Sequence, residues 1–311
     1  MNKIDIEFSA LIKTIKEMER DELYYMIKRN FFKIPLFTQR SLEDYFKKFD
    51  YWGSLDIDGG DFDIFKQKAT SLHKNVEKYI WLYQNLKDYR SKYVLYSIIS
   101  NAMYFDFANL QKCTENAFKH YFDLDIYPQA QDEVFVDVGS YTGDSVLDFI
   151  DCYGDRSYKE IYCFEITKSV IEQSKTNLAR LKNVHFIQKA LGSEKGQTFL
   201  RCSQVDPSAN QTSSDGDERV EVTTLDEEVQ EKISMIKMDI EGGEKDALKG
   251  AKRHIKNDSP CLMIAVYHKH DDIWQIPKMI YNMNKGYDFY LRYNGGPIFP
   301  TETTLICKQK D

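Results

Sequence analysis

Two different hydrophobic periodicities divide the chain. Over residues 1 to about 125, apolar residues recur at helical spacing. Ile4, Phe8, Leu11, Ile12, Ile15 and Met18 fall on one helix face, as do Leu72, Val76, Tyr79, Ile80, Tyr83 and Leu86. From about Asp132, short apolar runs alternate with amphipathic segments. Strands are expected over Val134–Val138, Glu160–Glu165, Val184–Leu191, Ser234–Ile240 and Cys261–Tyr267. Helices are expected over Lys168–Leu181, Gly242–Lys256 and Ile273–Asn284, the first with Ser169 and Glu172 at capping-box spacing. Strands alternating with helices imply a mainly parallel sheet. Phe289–Tyr293 and Thr303–Cys307 have no helical crossover between them, so they form an antiparallel edge pair. Gln197–Cys202 and Val220–Thr224 read as extra short strands around a polar loop, Ser203–Arg219, that is a candidate lid. The expectation is an α/β chain. A helical N-terminal domain, 1–125, precedes a Rossmann-like domain, 126–311, with a mainly parallel seven-stranded sheet.

The first expected strand ends at Asp137-Val138 and runs into Gly139-Ser140-Tyr141-Thr142-Gly143, ahead of an amphipathic Ser145–Ile150. Strand, tight turn and helix start form the ligand corner of a doubly wound domain. A dinucleotide fingerprint needs a second glycine two positions after the first, so that backbone can approach a pyrophosphate. Tyr141 stands there, which argues against an NAD-dependent oxidoreductase. An acid two residues before Gly139 repels phosphate and suits a ligand with a cationic amine. S-adenosylmethionine is such a ligand.

Ligands of open α/β sheets sit beyond the carboxyl ends of the strands. Asp137, Gly139, Ser140, Tyr141, Thr142 and Gly143 are expected around the cofactor at the first strand, where freed N–H groups can hold its carboxylate. Glu165, followed by Ile166, ends the second strand and can accept ribose hydroxyls, unless it is a solvated strand end. Lys189 and Ala190 end the third, where adenine would lie. Asp239 and Glu241 follow the fourth; on a continuing strand they point to opposite faces, and only one meets the cofactor. Tyr267-His268-Lys269-His270 end the fifth. His268, whose unperturbed pKa is about 6.5, is the first candidate for a general base, with Asp239 or Glu241 second. Tyr141, His268, Arg292, Tyr293 and Asn294 are the candidate acceptor contacts. One pair of carboxylates is a thin ligand set, so no metal is expected. The run Asp56-Ile57-Asp58-Gly59-Gly60-Asp61 lacks EF-hand spacing and its closing glutamate, and reads as a solvated turn.

The formal net charge of −7 comes with interspersed signs and no basic face, so nucleic acid is not an expected partner. The six cysteines, at 113, 152, 163, 202, 261 and 307, show no metal-ligand spacing, and a reducing cytoplasm is expected. The first residues do not read as a signal peptide, and no apolar run approaches the ~20 residues that span a bilayer. The aromatic-rich stretch 72–104 is either a dimer face or a core.

The chain resembles the FkbM family of methyltransferases over residues 132 to 309. The resemblance is carried by Glu133–Asp144, by Tyr162-Cys163-Phe164-Glu165, by Ile236-Lys237-Met238-Asp239-Ile240-Glu241-Gly242-Gly243-Glu244, and by Val266-Tyr267-His268. Trp81–Lys92 is also similar to members with an N-terminal extension. The resemblance implies a class I methyltransferase fold and O-methylation of sugar or natural-product hydroxyls. It also implies that Asp137, Gly139, Gly143 and Glu165 serve the cofactor. Ser140 stands where alanine is frequent, and Ile166-Thr167 where proline often follows the acid. The competing reading is a non-catalytic interaction module in glycan assembly; the intact strand-end acids argue against it.

Overall fold

The run Glu133–Val138 is buried at every position, so neither of its faces is left to solvent, as in a central strand of a parallel sheet. It is β1 in a computed structural model that describes residues 2–201, 210–213, 216 and 218–310. The strands that follow are β2 (Tyr158–Phe164), β3 (Val184–Ile187), β4 (Ala190–Leu191), β5 (Gly196–Arg201), β6 (Gln211–Ser213) and β7 (Glu218–Thr223). After them come β8 (Met235–Met238), β9 (Cys261–Ala265), β10 (Tyr287–Tyr293) and β11 (Thr303–Gln309). Seven of them form one sheet in the order β10-β11-β9-β8-β1-β2-β3. Neighbours from β9 through β3 are parallel. Residue 286 bonds to 310 and residue 294 to 302, so β10 and β11 run antiparallel, as expected. The fold is the Rossmann-like α/β fold, preceded by helices between residues 3 and 112.

A second sheet has the order β4-β7-β5-β6. The expected strand Val184–Leu191 is therefore two strands in two sheets. The chain leaves β3 and passes Lys189, which bonds Glu228 at 3.1 Å, before joining β7 through β4. The extra strands expected around residues 197–224 are β5 and β7, paired antiparallel. Part of the polar loop between them is strand β6; the lid expected of it lies largely outside the described residues. The expected helix Gly242–Lys256 is two helices, Glu244–Lys249 and Lys252–Asn257. Between them lies Gly250, where a Cβ would stand 2.0 Å from the Gly192 carbonyl oxygen, so any other side chain would block that approach. The helix after β2 is Lys168–Asn177, with Thr167 rather than Ser169 at its N-cap position and no side-chain cap, so Ser169 and Glu172 form no capping box.

The chain packs into two units. One comprises Met1–Glu115, Val266–Lys278 and Phe289–Thr304; the other comprises Asn116–Ala265, Met279–Asp288 and Leu305–Asp311. In the first, Asn2 and Asp5 form a capping box for the helix Lys3–Glu17, whose buried face is Ile4, Phe8, Leu11, Ile12 and Ile15. Phe8 stacks on Tyr83 at 3.8 Å, and Phe31 lies among Phe62, Phe65 and Phe105. The acidic run at 56–61 is a turn whose acids have protein partners. Asp56 and Asp61 bridge through their backbones, Asp56 accepts from the Gly59 N–H, and Asp58 pairs with Arg40 at 2.8 Å.

Arg292, expected among the acceptor contacts, is buried in this unit. Its guanidinium donates to Asp88 at 2.7 Å, to Ser91 Oγ at 3.1 Å and to the Leu291 carbonyl at 2.9 Å. Ser91 Oγ in turn accepts the Leu291 N–H at 2.9 Å. Tyr293 is fully buried, with its hydroxyl on the Phe299 and Gly296 carbonyls. Asn294 donates its N–H to the Glu302 carbonyl. The polar groups of Arg292 and Tyr293 are thus used in packing the unit, which removes the basis for assigning them to an acceptor.

Replacing Arg292 with leucine is expected to lower stability by about 2 kcal/mol, because Asp88 and Ser91 lose their shared donor in a part-buried setting. Urea unfolding checks this. Arg292→Lys should recover less than half of the loss, since an ammonium cannot reproduce the fork.

Candidate active site

In register along the parallel pair β1–β8, Asp137 stands opposite Lys237. Register partners in adjacent strands point to the same face, so carboxylate and ammonium meet. Lys237 Nζ lies 3.1 Å from Asp137 Oδ1, with side chains 4% and 0% exposed. The same Nζ donates to the Gly139 carbonyl at 2.7 Å. Burial pushes the Asp137 carboxyl up to about 6, against the pull of Lys237. Burial also acts to lower Lys237, but Asp137 and Asp239 outweigh it and hold the ammonium above its ordinary value. The cation that Asp137 was expected to take from a ligand is therefore supplied by its own chain, and Asp137 does not line the neighbouring pocket.

The turn after β1 follows from this anchor. The Gly139 and Ser140 N–H groups both donate to the Phe164 carbonyl of β2, at 2.9 and 3.0 Å. Gly139 has φ +74°, and a Cβ there would stand 1.9 Å from the Asp239 carbonyl oxygen. Only glycine fits both the conformation and the space. Ser140 is buried, and the Thr142 carbonyl accepts from Asn177. Gly143, at the head of the helix Asp144–Tyr153, closes the turn with its N–H on the Ser140 carbonyl at 2.8 Å. Ser140, Thr142 and Gly143 build the turn, while Gly139 and Tyr141 reach the pocket.

That pocket encloses about 620 Å³, counting space open to solvent. Beyond β2 it is lined by Glu165 and Ile166, and beyond β3 by Lys189 and Ala190. Glu165 Oε1 accepts the N–H groups of Ile166 and Thr167, both at 2.8 Å, which fixes the carboxylate at the strand end. Ile166 packs against Ala190, Leu200 and Val220 and gives the pocket an apolar wall. Asn210 and Thr212 also line it; nothing in the sequence marks them.

Asp239 and Glu241 both line the pocket, contrary to the alternation expected of a strand. β8 stops at Met238, and Glu241 takes φ +55°, so the chain turns and period-two alternation no longer applies. Glu244 holds this turn. Buried at 1% exposure, its Oε1 accepts from Ile240 at 3.0 Å and Gly242 at 3.2 Å. Asp239 Oδ2 accepts the Tyr121 hydroxyl at 2.6 Å.

His268 lies in the other unit, 1% exposed, against the rings of Tyr51 and Tyr267. Besides Asn210 and Thr212, three contributors had no assigned role in the sequence: Lys237, Glu244 and Tyr121. The first two stand inside the quoted K-x-D-x-E-G-x-E run, so their position was visible. Tyr121 carries no motif signal.

Residues 137–295, just over half of the chain, match the family described as Methyltransferase FkbM domain. No curated protein matches the chain in sequence. A crystal structure of Methyltransferase FkbM from Methylobacillus flagellatus KT is similar in fold, with TM-score 0.64 and 20% identity over 78% of this chain. The match spans 62% of that protein's length. An rRNA methylase from Streptococcus thermophilus gives TM-score 0.39 and 13% identity, covering 60% of this chain and 92% of that one. Aeropyrum pernix fibrillarin with natively bound S-adenosyl-L-methionine gives TM-score 0.37 and 10% identity, covering 57% and 67%.

Removing the cation of the buried pair should be severe and pH-dependent. Lys237→Met is expected to lower stability by about 3–5 kcal/mol at neutral pH, because the Asp137 carboxylate is left buried without a partner. Its folded pKa then rises above the value near 6 and further from the ordinary 3.8, so the folded state favours the proton. The penalty is largest above that pKa and shrinks as pH falls through it. Urea unfolding at pH 7.5 and pH 5 checks the sign: a loss that grows on acidification contradicts the pairing.

Proposed function

Because the chain belongs to the FkbM methyltransferase family, whose cofactor is S-adenosylmethionine, we propose that it is an O-methyltransferase acting on a hydroxyl of a sugar, glycan or natural product. The reading rests on one observation, the gathering of Glu165, Asp239 and Glu241 around a single pocket beside the glycine turn. Residues 126–311 would form the methyltransferase domain and 1–125 a helical domain, acting in the cytoplasm. No helix among the described residues is long and apolar enough to cross a membrane.

The pocket residues suit this cofactor. Glu165, its one oxygen held by two backbone N–H groups, would accept the ribose hydroxyls through the carboxylate. Ile166 and Ala190 supply an apolar wall for adenine. Tyr141 and Gly139 bound the end nearest the turn. When bound, S-adenosylmethionine supplies an electrophilic methyl group on a sulfonium. The residues contribute alignment and exclusion of water, since in-line transfer disperses charge. His268, three residues beyond β9, is proposed to take the acceptor's proton on a ring nitrogen, with Asp239 or Glu241 as the second choice. Tyr141 remains the proposed acceptor contact from the turn.

Calorimetry on the purified protein should show S-adenosylmethionine binding that S-adenosylhomocysteine displaces; absence of both removes the cofactor reading. Glu165→Ala should weaken that binding by about tenfold or more, as expected for losing hydrogen bonds to a charged group, with folding intact. Methyl-labelled cofactor offered to a glycan and natural-product panel should place label on a hydroxyl oxygen. Label found on nitrogen alone rejects O-methylation. His268→Ala should lower turnover by about a hundredfold while leaving cofactor affinity unchanged; wild-type turnover eliminates His268 as base.

A further inference from the structure

Tyr121 lies before the first strand and outside the matched span 137–295, yet its hydroxyl is 2.6 Å from Asp239 Oδ2 in the pocket. The surrounding structure holds it there. Lys119 and Phe122 bridge a tight turn, with the Phe122 N–H on the Lys119 carbonyl at 3.1 Å. Phe122 is buried among Phe135, Phe149 and Tyr153, and Lys119 pairs with Asp148 at 2.8 Å. The turn is thereby tied to β1 and to the helix that follows it. Between these anchors Tyr121 takes φ +71°, a conformation that non-glycine residues rarely adopt and that persists only where neighbours enforce it.

The ring is confined as well. The His120 imidazole stacks on it at 3.8 Å and 10°, and Lys237 Nζ lies 5.3 Å from its centroid. Burial lowers the His120 pKa to about 4, so the stacked imidazole is neutral at physiological pH. A phenol held on two sides has little rotational freedom left to lose when it donates to a carboxylate.

Asp239 follows β8 directly, and its carbonyl abuts Gly139 at the turn end of the pocket. Glu165 stands at the next strand end along, where ribose is proposed. A cofactor with its ribose at Glu165 would direct its methionine end toward Gly139 and Asp239, where its ammonium would need an anion. Asp137 is already paired with Lys237 and is not in the pocket. We propose that Tyr121 is a positioning residue that holds the Asp239 carboxylate in the orientation that receives the cofactor's α-ammonium. The assignment rests on the cofactor reading above.

The test compares two probes on the full chain. S-adenosylhomocysteine carries the α-ammonium, and 5′-methylthioadenosine lacks the whole amino-acid end. By calorimetry, Tyr121→Phe should weaken S-adenosylhomocysteine by about tenfold and leave 5′-methylthioadenosine unchanged. In an Asp239→Asn background the same change should add less than about twofold, because the two groups act as one unit. Wild-type affinity in Tyr121→Phe, equal loss for both probes, or fully additive effects with Asp239→Asn each overturn the positioning role. Equal loss would mark Tyr121 as a support of the fold alone. A wild-type protein that binds neither probe overturns the cofactor reading, and this proposal with it.

Discussion

The buried pair of Asp137 and Lys237 is the interaction on which the site depends. Its two members come from adjacent parallel strands and meet only if β1 and β8 are in register. A slip of β8 by one residue would turn Lys237 to the opposite face from Asp137 and part the two charges. Such a pair adds little net stability over apolar residues of the same volume, because desolvation offsets attraction. Its consequence is geometric. The ammonium also binds the Gly139 carbonyl and lies over the Tyr121 ring, so one nitrogen ties the strand register to the turn and to the ring that bonds Asp239.

A second theme is how strand-end acids are oriented. Glu165 and Glu244 each commit one oxygen to two N–H groups of their own turn. Glu165 is thereby fixed at the lip of the pocket. Glu244 is withdrawn from it and instead shapes the loop that presents Asp239 and Glu241. Two glutamates of similar local appearance therefore do different work. The difference lies in whether the acid comes before its turn or after it.

The architecture was largely readable from the pattern of apolar positions. Period-two and continuous apolar runs placed the strands of the main sheet, and the absence of a crossover between residues 293 and 303 marked the antiparallel pair. The errors have specific causes. The segment Val184–Leu191 has enough apolar positions to read as one strand, but its second half leaves the main sheet to pair with β7, which lies well beyond it in the chain. Gly242–Lys256 has helical periodicity throughout, yet Gly250 lies against the Gly192 backbone and the helix divides there. At Asp239 and Glu241, the alternation rule failed because a left-handed residue ends the extended run.

The sequence by itself determined the class of fold, the glycine turn and the set of acids that stand at strand ends, because these are written in spacings of a few residues. It could not decide what each acid faces. Asp137 carries the same letter whether it meets a ligand or Lys237, a residue 100 positions away; Arg292 carries the same letter at a rim or on Asp88, 204 positions away. Burial removes water as the default partner, so every buried charge must find another from the chain. That choice is made by strand register and packing across long separations, and only the tertiary structure holds it.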